Sequence, residues 1–240
     1  MKKVAIIGSS GAIGNAISKQ LIEDKDIELI YRFSRTKNEI SSDFRIKDIF
    51  IDIEDEDSIK TAVKAIPESI KFDLVFVATG MLHDDDNIFP EKSIKDIEHK
   101  KLHKILSVNI IGPTLVGKYF IPYLAKDKKS VFAFLSARVG SISDNKLGGW
   151  YAYRSSKAAL NQIIKNFSIE IKRTNPTAIF VGLQPGTVKS FLSKPFEKNV
   201  RSDKLFSPEY SAKNLINLIK NLTPNESGKL LAWDGEEIQP

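Results

Sequence analysis

Two hydrophobic periods alternate along the 240-residue chain, and the switches between them lay out its elements. An apolar run at 3 to 7 ends at Gly8. After a Gly/Ser-rich turn, Ala12-Ile13-Gly14-Asn15-Ala16-Ile17 and Leu21-Ile22 recur at helical spacing, which reads as strand, turn, helix. Further strands are predicted at 27 to 33 and 49 to 53. Residues 55 to 66 place acids first and apolar periodicity after, as a helix with a favourable dipole does, and Pro67 stops them. Phe72-Asp73-Leu74-Val75-Phe76-Val77-Ala78 has the near-continuous apolarity of a strand buried on both faces. A long helix is predicted from about Ser93, interrupted at Gly112-Pro113 and resuming to Leu124. A strand at 131 to 135, a helix at 150 to 172, a strand at 178 to 183, a helix at 208 to 222 and a closing strand at 230 to 233 follow.

This alternation, without internal repeat or low-complexity linker, predicts one α/β domain spanning 1 to 240: a doubly wound Rossmann domain with a seven-stranded, mostly parallel sheet flanked by helices. The least patterned stretch, 187 to 207, is either a surface loop or a lid over a site.

Composition narrows the classes. The chain has no Cys, which excludes disulfides, thiolate metal sites and cysteine nucleophiles and fits a reducing, cytoplasmic setting. Val4-Ala5-Ile6-Ile7 is too short for a signal-peptide core, and no uninterrupted apolar stretch approaches the roughly 18 residues of a membrane span. Net charge is +6, but the lysines are interleaved with acids such as Asp84-Asp85-Asp86, so neither nucleic acid nor a membrane is an expected partner.

Four patterns carry chemistry. Gly8-Ser9-Ser10-Gly11-Ala12-Ile13-Gly14 lies directly between a strand and a helix, where glycines let the backbone approach a pyrophosphate seated on the helix N-terminus. At the end of the second strand Ser34-Arg35 replaces the acid that would bind a ribose diol, and an Arg there favours a 2′-phosphate, hence NADP over NAD. Pro113 has no N–H to return to the Asn109 carbonyl, so a kinked helix can hold a water there as a link in a proton relay, or be a structural kink alone. Tyr153 and Lys157, four apart at the start of a long helix, share one face, and a fixed ammonium makes a phenol a usable acid or base. His99 and His103 have the same spacing, but no third ligand accompanies them; they read as a solvated face, and no metal is expected.

In this order, the Gly8 to Gly14 turn, Asp52, Ala78-Thr79-Gly80, Asn109, Leu135-Ser136-Ala137, Tyr153-x-x-x-Lys157 and Pro185-Gly186-Thr187 resemble the short-chain dehydrogenase/reductase family across essentially the whole chain. The wording Gly140-Ser141-Ile142, Gly148-Gly149-Trp150-Tyr151 and Tyr153-Arg154-x-Ser156-Lys157 is similar to the branch of C-factor-like proteins and sniffer-type carbonyl reductases. The resemblance implies that Tyr153 exchanges a proton with a substrate oxygen. Lys157 then lowers the phenol pKa and holds the nicotinamide ribose, and Asn109 anchors the relay water. It implies a dinucleotide site formed by Gly8, Ser10, Gly11, Ile13, Gly14, Arg35, Asp52, Ile53, Ala78, Thr79, Gly80, Tyr153, Lys157, Pro185, Gly186, Thr187 and Val188. Asp52 would meet the adenine, and Thr187 with Val188 the carboxamide.

Three departures stand out. Ala12 occupies the place of the family's second glycine, and Ala78-Thr79-Gly80 that of Asn-Ala-Gly. Ala137 falls where the catalytic serine would be, leaving Ser136 one residue early and Ser141 four late. Successive strand residues face opposite sides, so Ser136 substitutes only if the strand end is twisted or bulged, and Ser141 is the other source of a hydroxyl. The expectation is an NADP-preferring oxidoreductase, with NAD as the lesser alternative, that interconverts a small carbonyl and a secondary alcohol. The competing reading is a dinucleotide-binding signalling protein with little turnover. The apolar residues Ala158, Ala159, Leu160, Ile163, Ile164, Phe167, Ile169 and Ile171 continue around more than one helix face, which predicts a homodimer or homotetramer interface.

Overall fold

The computed structural model describes residues 1–38, 41–84 and 87–240; Asp85 and Asp86 of the acidic triplet lie outside the described residues. The predicted alternation is realised as β1 (Lys3–Ile7), α1 (Ala12–Glu23), β2 (Leu29–Ser34), β3 (Ile46–Phe50), α2 (Glu56–Lys64) and β4 (Leu74–Val77). There follow α3 (His99–Leu106), α4 (Gly112–Phe120), β5 (Ser130–Leu135), α5 (Tyr151–Ile171), β6 (Ala178–Gln184), β7 (Thr187–Val188), β8 (Leu205–Phe206), α6 (Pro208–Asn221), β9 (Leu230–Ala232) and β10 (Glu237–Ile238).

The main sheet runs β10-β9-β6-β5-β4-β1-β2-β3 and has eight strands rather than seven. The extra strand is short. The chain turns at Gly235, whose φ is +91°, and β10 pairs antiparallel with β9 (Ile238 opposite Leu230), whereas every other pairing in this sheet is parallel. Two-residue strands carry too little pattern to be read from a sequence, which also hid the separate parallel pair of β7 and β8.

Side-chain alternation sorts the core into two layers. Val75 and Val77 of β4 join Phe132 and Phe134 of β5 beneath α2, α4 and α5, while Leu74 and Phe76 face α1 and α6. Strand β3 begins three residues before the predicted start because it is the sheet's outer edge, with Lys47 and Asp48 exposed. The apolar Ile51 and Ile53 that suggested a strand are buried beyond its end.

Local sequence fixes the termini that matter. Asp55 caps α2 by accepting the Asp57 N–H, so the acid-first pattern marks the helix start. Between α3 and α4 the helix widens into a π turn at Ser107–Ile111, where the Gly112 N–H reaches five residues back to the Ser107 carbonyl. The missing N–H of Pro113 is thus accommodated by a register change directly at Asn109. Taken together, His99–Tyr123 is long and apolar enough to cross a membrane, but Val116 and Phe120 of this stretch are core residues under the sheet.

The second apolar face of α5 is largely used within the chain. Leu160 and Ile164 belong to the core and Phe167 and Ile171 pack against it, leaving Ile169, at 51% exposure, turned outward.

Candidate active site

Strand order reverses between β1 and β4, and the crevice at the carboxyl ends of the strands opens there. It is a cleft of about 490 Å³. Of the predicted residues, Gly8, Ser10, Gly11, Arg35, Asp52, Ile53, Ala78, Thr79 and Gly80 line it.

The turn after β1 is shaped by contacts that tolerate no side chain. Gly8 has φ +83°, and a Cβ there would meet Thr79 Cγ2 at 2.9 Å; one at Gly14 would lie 2.3 Å from the Gly8 carbonyl. Gly14 therefore acts by close packing and does not line the cleft, and neighbouring Ile13 packs toward the α1/α6 core. Ala12, in place of a glycine, opens α1, with Gly11 as N-cap in extended geometry. No side chain caps this helix and no acid sits in its first turn, which suits an anion. The buried Thr79 hydroxyl has no hydrogen-bond partner and also lines the cleft. A glycine cradle, an uncapped helix start and an orphaned hydroxyl together fit a dinucleotide.

Arg35 stands at the rim, 62% exposed, with Nη1 3.6 Å from Asp52 and 3.7 Å from Glu54. Lys104 holds Glu54 more tightly, at 2.7 Å. Beside them Thr36 donates its hydroxyl to Ser10 Oγ at 2.8 Å.

Tyr153 and Lys157 are buried on one face of α5, as their spacing requires. Lys157 Nζ donates to the Leu135 carbonyl at 3.0 Å and lies 5.7 Å from the centre of the Tyr153 ring. A Cβ added to Gly80 would lie 3.5 Å from that Nζ and 3.7 Å from Asn109 Oδ1, so the ammonium sits behind Gly80, a residue of the cleft wall, while neither Tyr153 nor Lys157 itself lines the cleft. Burial pushes the phenol up from its ordinary range and brings the ammonium down to about 8. The expected lowering of the tyrosine by the lysine is thus outweighed by desolvation, with the ammonium engaged by the Leu135 carbonyl.

Asn109 is fully buried. Its Oδ1 accepts the Met81 N–H and its Nδ2 donates to the Met81 carbonyl and to Ser156 Oγ, at 2.8, 2.8 and 3.0 Å. The side chain therefore fastens the segment after β4 to α5.

Neither serine meets the phenol. Ser136, expected among the catalytic residues, donates its hydroxyl to Asn161 Oδ1 at 2.7 Å, because the strand end keeps its alternation and turns the side chain along α5. Ser141 Oγ accepts the Asp144 N–H at 3.1 Å and lies 3.3 Å from Ser143 Oγ. Ser156 Oγ donates to the Tyr153 backbone carbonyl at 2.7 Å, but among the described residues no hydroxyl is bonded to the Tyr153 phenol.

Pro185, Gly186, Thr187 and Val188 lie outside the cleft lining. Gly186 turns at φ +80° against the Phe206 ring, and Thr187 and Val188 form β7. The segment from 187 to 207 is built rather than plain loop: β7 and β8 pair, two short helical turns lie between them, and Phe191 and Leu192 reach the cleft. His83 Nε2 lies 3.0 Å from the Phe191 carbonyl and therefore donates to it. Leu82, His83, Lys104, Phe191 and Leu192 line the cleft without any sequence motif to announce them. Among the described residues no three His, Asp or Glu side chains gather as a metal site, and His99 and His103 are exposed with rings 6.3 Å apart.

A phosphate-accepting turn at a topological switch point, with a buried Tyr/Lys pair behind it, defines a doubly wound dinucleotide-dependent oxidoreductase. The chain belongs to the short chain dehydrogenase family, whose model matches residues 2–201. It is 27% identical over 240 residues to 1-hydroxy-2-glutathionyl-2-methyl-3-butene dehydrogenase of Rhodococcus sp. (strain AD45), covering 100% of both chains. The C-signal of Myxococcus xanthus is 27% identical over 146 residues, 61% of this chain and 82% of that protein. Two solved structures share the fold. One is the NADPH-bound carbonyl reductase from chicken fatty liver (TM-score 0.88, 21% identity, 100% and 99% covered). The other is the carbonyl reductase Sniffer of D. melanogaster (TM-score 0.87, 21% identity, 100% of both covered).

Proposed function

We propose that this family member is an NADP-preferring reductase that interconverts a small carbonyl compound and its secondary alcohol, with Tyr153 as the proton donor and acceptor. The observation that carries the reading is the buried Tyr153/Lys157 pair, with the Lys157 ammonium and Asn109 against Gly80 of the cleft wall. When bound, NADPH would supply the hydride for reduction and NADP+ would accept it for oxidation. Arg35 at the rim is the group for a 2′-phosphate, with Ser10 and Thr36 as hydroxyl partners. Tyr153 holds its proton at neutral pH and offers it to the substrate oxygen; Lys157, charged below a pH of about 8, steadies the phenolate that results. The Asn109 carbonyl, at the π turn that replaces regular α-helical pairing before Pro113, is the anchor in this reading for a water that returns the proton. A homodimer or homotetramer remains part of the proposal, resting on the outward Ile169; light scattering that returned a monomer mass at micromolar concentration would remove it.

Ala137 favours one second reading, a dinucleotide-binding signalling protein with little turnover, since the polarising hydroxyl is missing where the family carries it. A screen of aldehydes and ketones for carbonyl-dependent NADPH oxidation separates the two. The reductase reading expects Tyr153→Phe to abolish turnover with NADPH affinity nearly unchanged, and Lys157→Ala to damage both. NADPH binding without any turnover across the screen transfers the assignment to the signalling reading.

A further inference from the structure

The helix that carries Tyr153 has an unusual beginning. Gly148, Gly149 and Trp150 all have positive φ (65°, 65° and 51°), and Trp150 is the only non-glycine among the described residues to do so. A bulky residue in that region is strained and persists only where its surroundings enforce it. Trp150 is also the N-cap of α5 and gives no side-chain cap, so the first-turn N–H groups have no partner from their own chain end. Tyr153 lies in that first turn.

The missing partner comes from 61 residues upstream. Glu91 Oε2 accepts the Ala152 N–H at 3.2 Å, and the Glu91 carbonyl accepts the Trp150 N–H. Glu91 is 3% exposed, and among the described residues it makes no ion pair; what faces it is the positive end of α5. Gly149 makes the approach possible, because a Cβ there would lie 3.2 Å from the Glu91 carbonyl and 3.9 Å from that of Lys92. The same clamp sets the Trp150 ring, which stands edge-on to Tyr153 with centroids 6.3 Å apart. Ile88, three residues before Glu91, packs with Ala152 and Ile105, so the segment is seated on α5 by apolar contact as well.

We propose that Glu91 is a positioning residue for the reaction: its carboxylate and carbonyl together hold the left-handed entrance and first turn of α5, and through them the Tyr153 phenol. A buried carboxylate without a cation is costly to keep, and accepting amides at a helix N-terminus is the arrangement that offsets it. The inference rests on the reductase reading for its kinetic consequence, but its structural half does not need turnover.

The test uses the full chain with Glu91→Ala and Glu91→Gln. Glu91→Ala leaves the Ala152 N–H without its side-chain acceptor, keeps the backbone carbonyl that accepts the Trp150 N–H, and loosens the first turn; a displacement of about 1 Å in a reacting group can cost on the order of 100-fold, so kcat is expected to fall about 10- to 100-fold with KM and NADPH affinity nearly constant. Glu91→Gln keeps an acceptor oxygen and is expected to recover kcat to within about threefold of the parent. Hydrogen exchange read by mass spectrometry is the second arm. Amides at 150 to 157 should exchange faster in Glu91→Ala alone, with the sheet strands unchanged. Unaltered exchange there, acceleration throughout the chain, or a Gln variant as impaired as the Ala variant would each overturn the proposal. If the parent turns over no carbonyl, the reductase reading fails while the exchange result still decides the clamp.

Discussion

Ser136 gives its hydroxyl to Asn161 at 2.7 Å, two helical turns beyond Tyr153 on the same face of α5. The hydroxyl is thus engaged in bracing β5 against α5 rather than bonded to the phenol. Ser136→Ala is therefore expected to lower stability by about 1–2 kcal/mol, the cost of leaving Asn161 Oδ1 without its donor, with kcat unchanged. Urea unfolding and steady-state kinetics on the same preparation check both halves.

Ser141 keeps the opposite profile. Its oxygen accepts the Asp144 N–H and pairs at 3.3 Å with Ser143 Oγ; when Ser143 is the donor of that pair, the Ser141 proton can go to a substrate oxygen. If it has taken the polarising role vacated at Ala137, Ser141→Ala should reduce kcat by about 100-fold, the loss of one oxyanion donor, with little change in NADPH affinity. A kcat within twofold or so of the parent would leave the substrate oxygen to Tyr153 alone.

Arg35 sits between two carboxylates at distances too long for strong pairing, and Lys104 already neutralises Glu54. It is thus free to turn to a 2′-phosphate, and the parent should bind NADPH more tightly than NADH by about 1.5–3 kcal/mol, roughly 10- to 100-fold. Arg35→Ala should erase most of that difference and leave NADH affinity alone. Calorimetry giving equal affinities for the two cofactors in the parent would sink the assignment.

The Gly8 turn and the Tyr153/Lys157 pair were legible in the sequence because each is a local spacing whose geometry follows from the helix or turn that holds it. The orientation of Ser136 was only half legible: alternation favours the face away from residue 137, but a twisted or bulged strand end stayed open and kept Ser136 among the catalytic candidates. Glu91 was not legible: a lone acid 61 residues from Ala152 has no periodicity or spacing to mark it, and only the folded chain brings them together. His83 and Phe191 escaped for the same reason, one lying after β4 and the other in the weakly patterned segment after β7. The pKa order escaped differently. Spacing predicts that a lysine is near a tyrosine, but burial, which the spacing does not reveal, decides which way each is pushed.

That burial makes the last prediction, on stability against pH. The Lys157 pKa falls from 10.5 in the unfolded chain to about 8 in the folded one, so between these values the unfolded state binds more protons at this site. Stability therefore rises with pH through that window, and the cost of burying the ammonium, on the order of 3 kcal/mol, is fully present below a pH of about 8. Tyr153 acts in the other direction. Its folded pKa is raised above 10, so above that pH the folded state retains a proton that the unfolded state loses, and stability falls. Urea unfolding should accordingly show a gain of roughly 1–2 kcal/mol from pH 7.5 to 9.5. The gain should be absent in Lys157→Met, which removes the titrating group while filling a similar volume, and the decline above pH 10 should be reduced in Tyr153→Phe. NADPH should oppose the lysine's contribution, because an anionic ligand beside the ammonium favours its charged form; with saturating NADPH the rise should shift to higher pH. A parent protein whose stability is flat or falling between pH 8 and 9.5, with Lys157→Met indistinguishable from it, would mean that the ammonium is not desolvated in the folded protein.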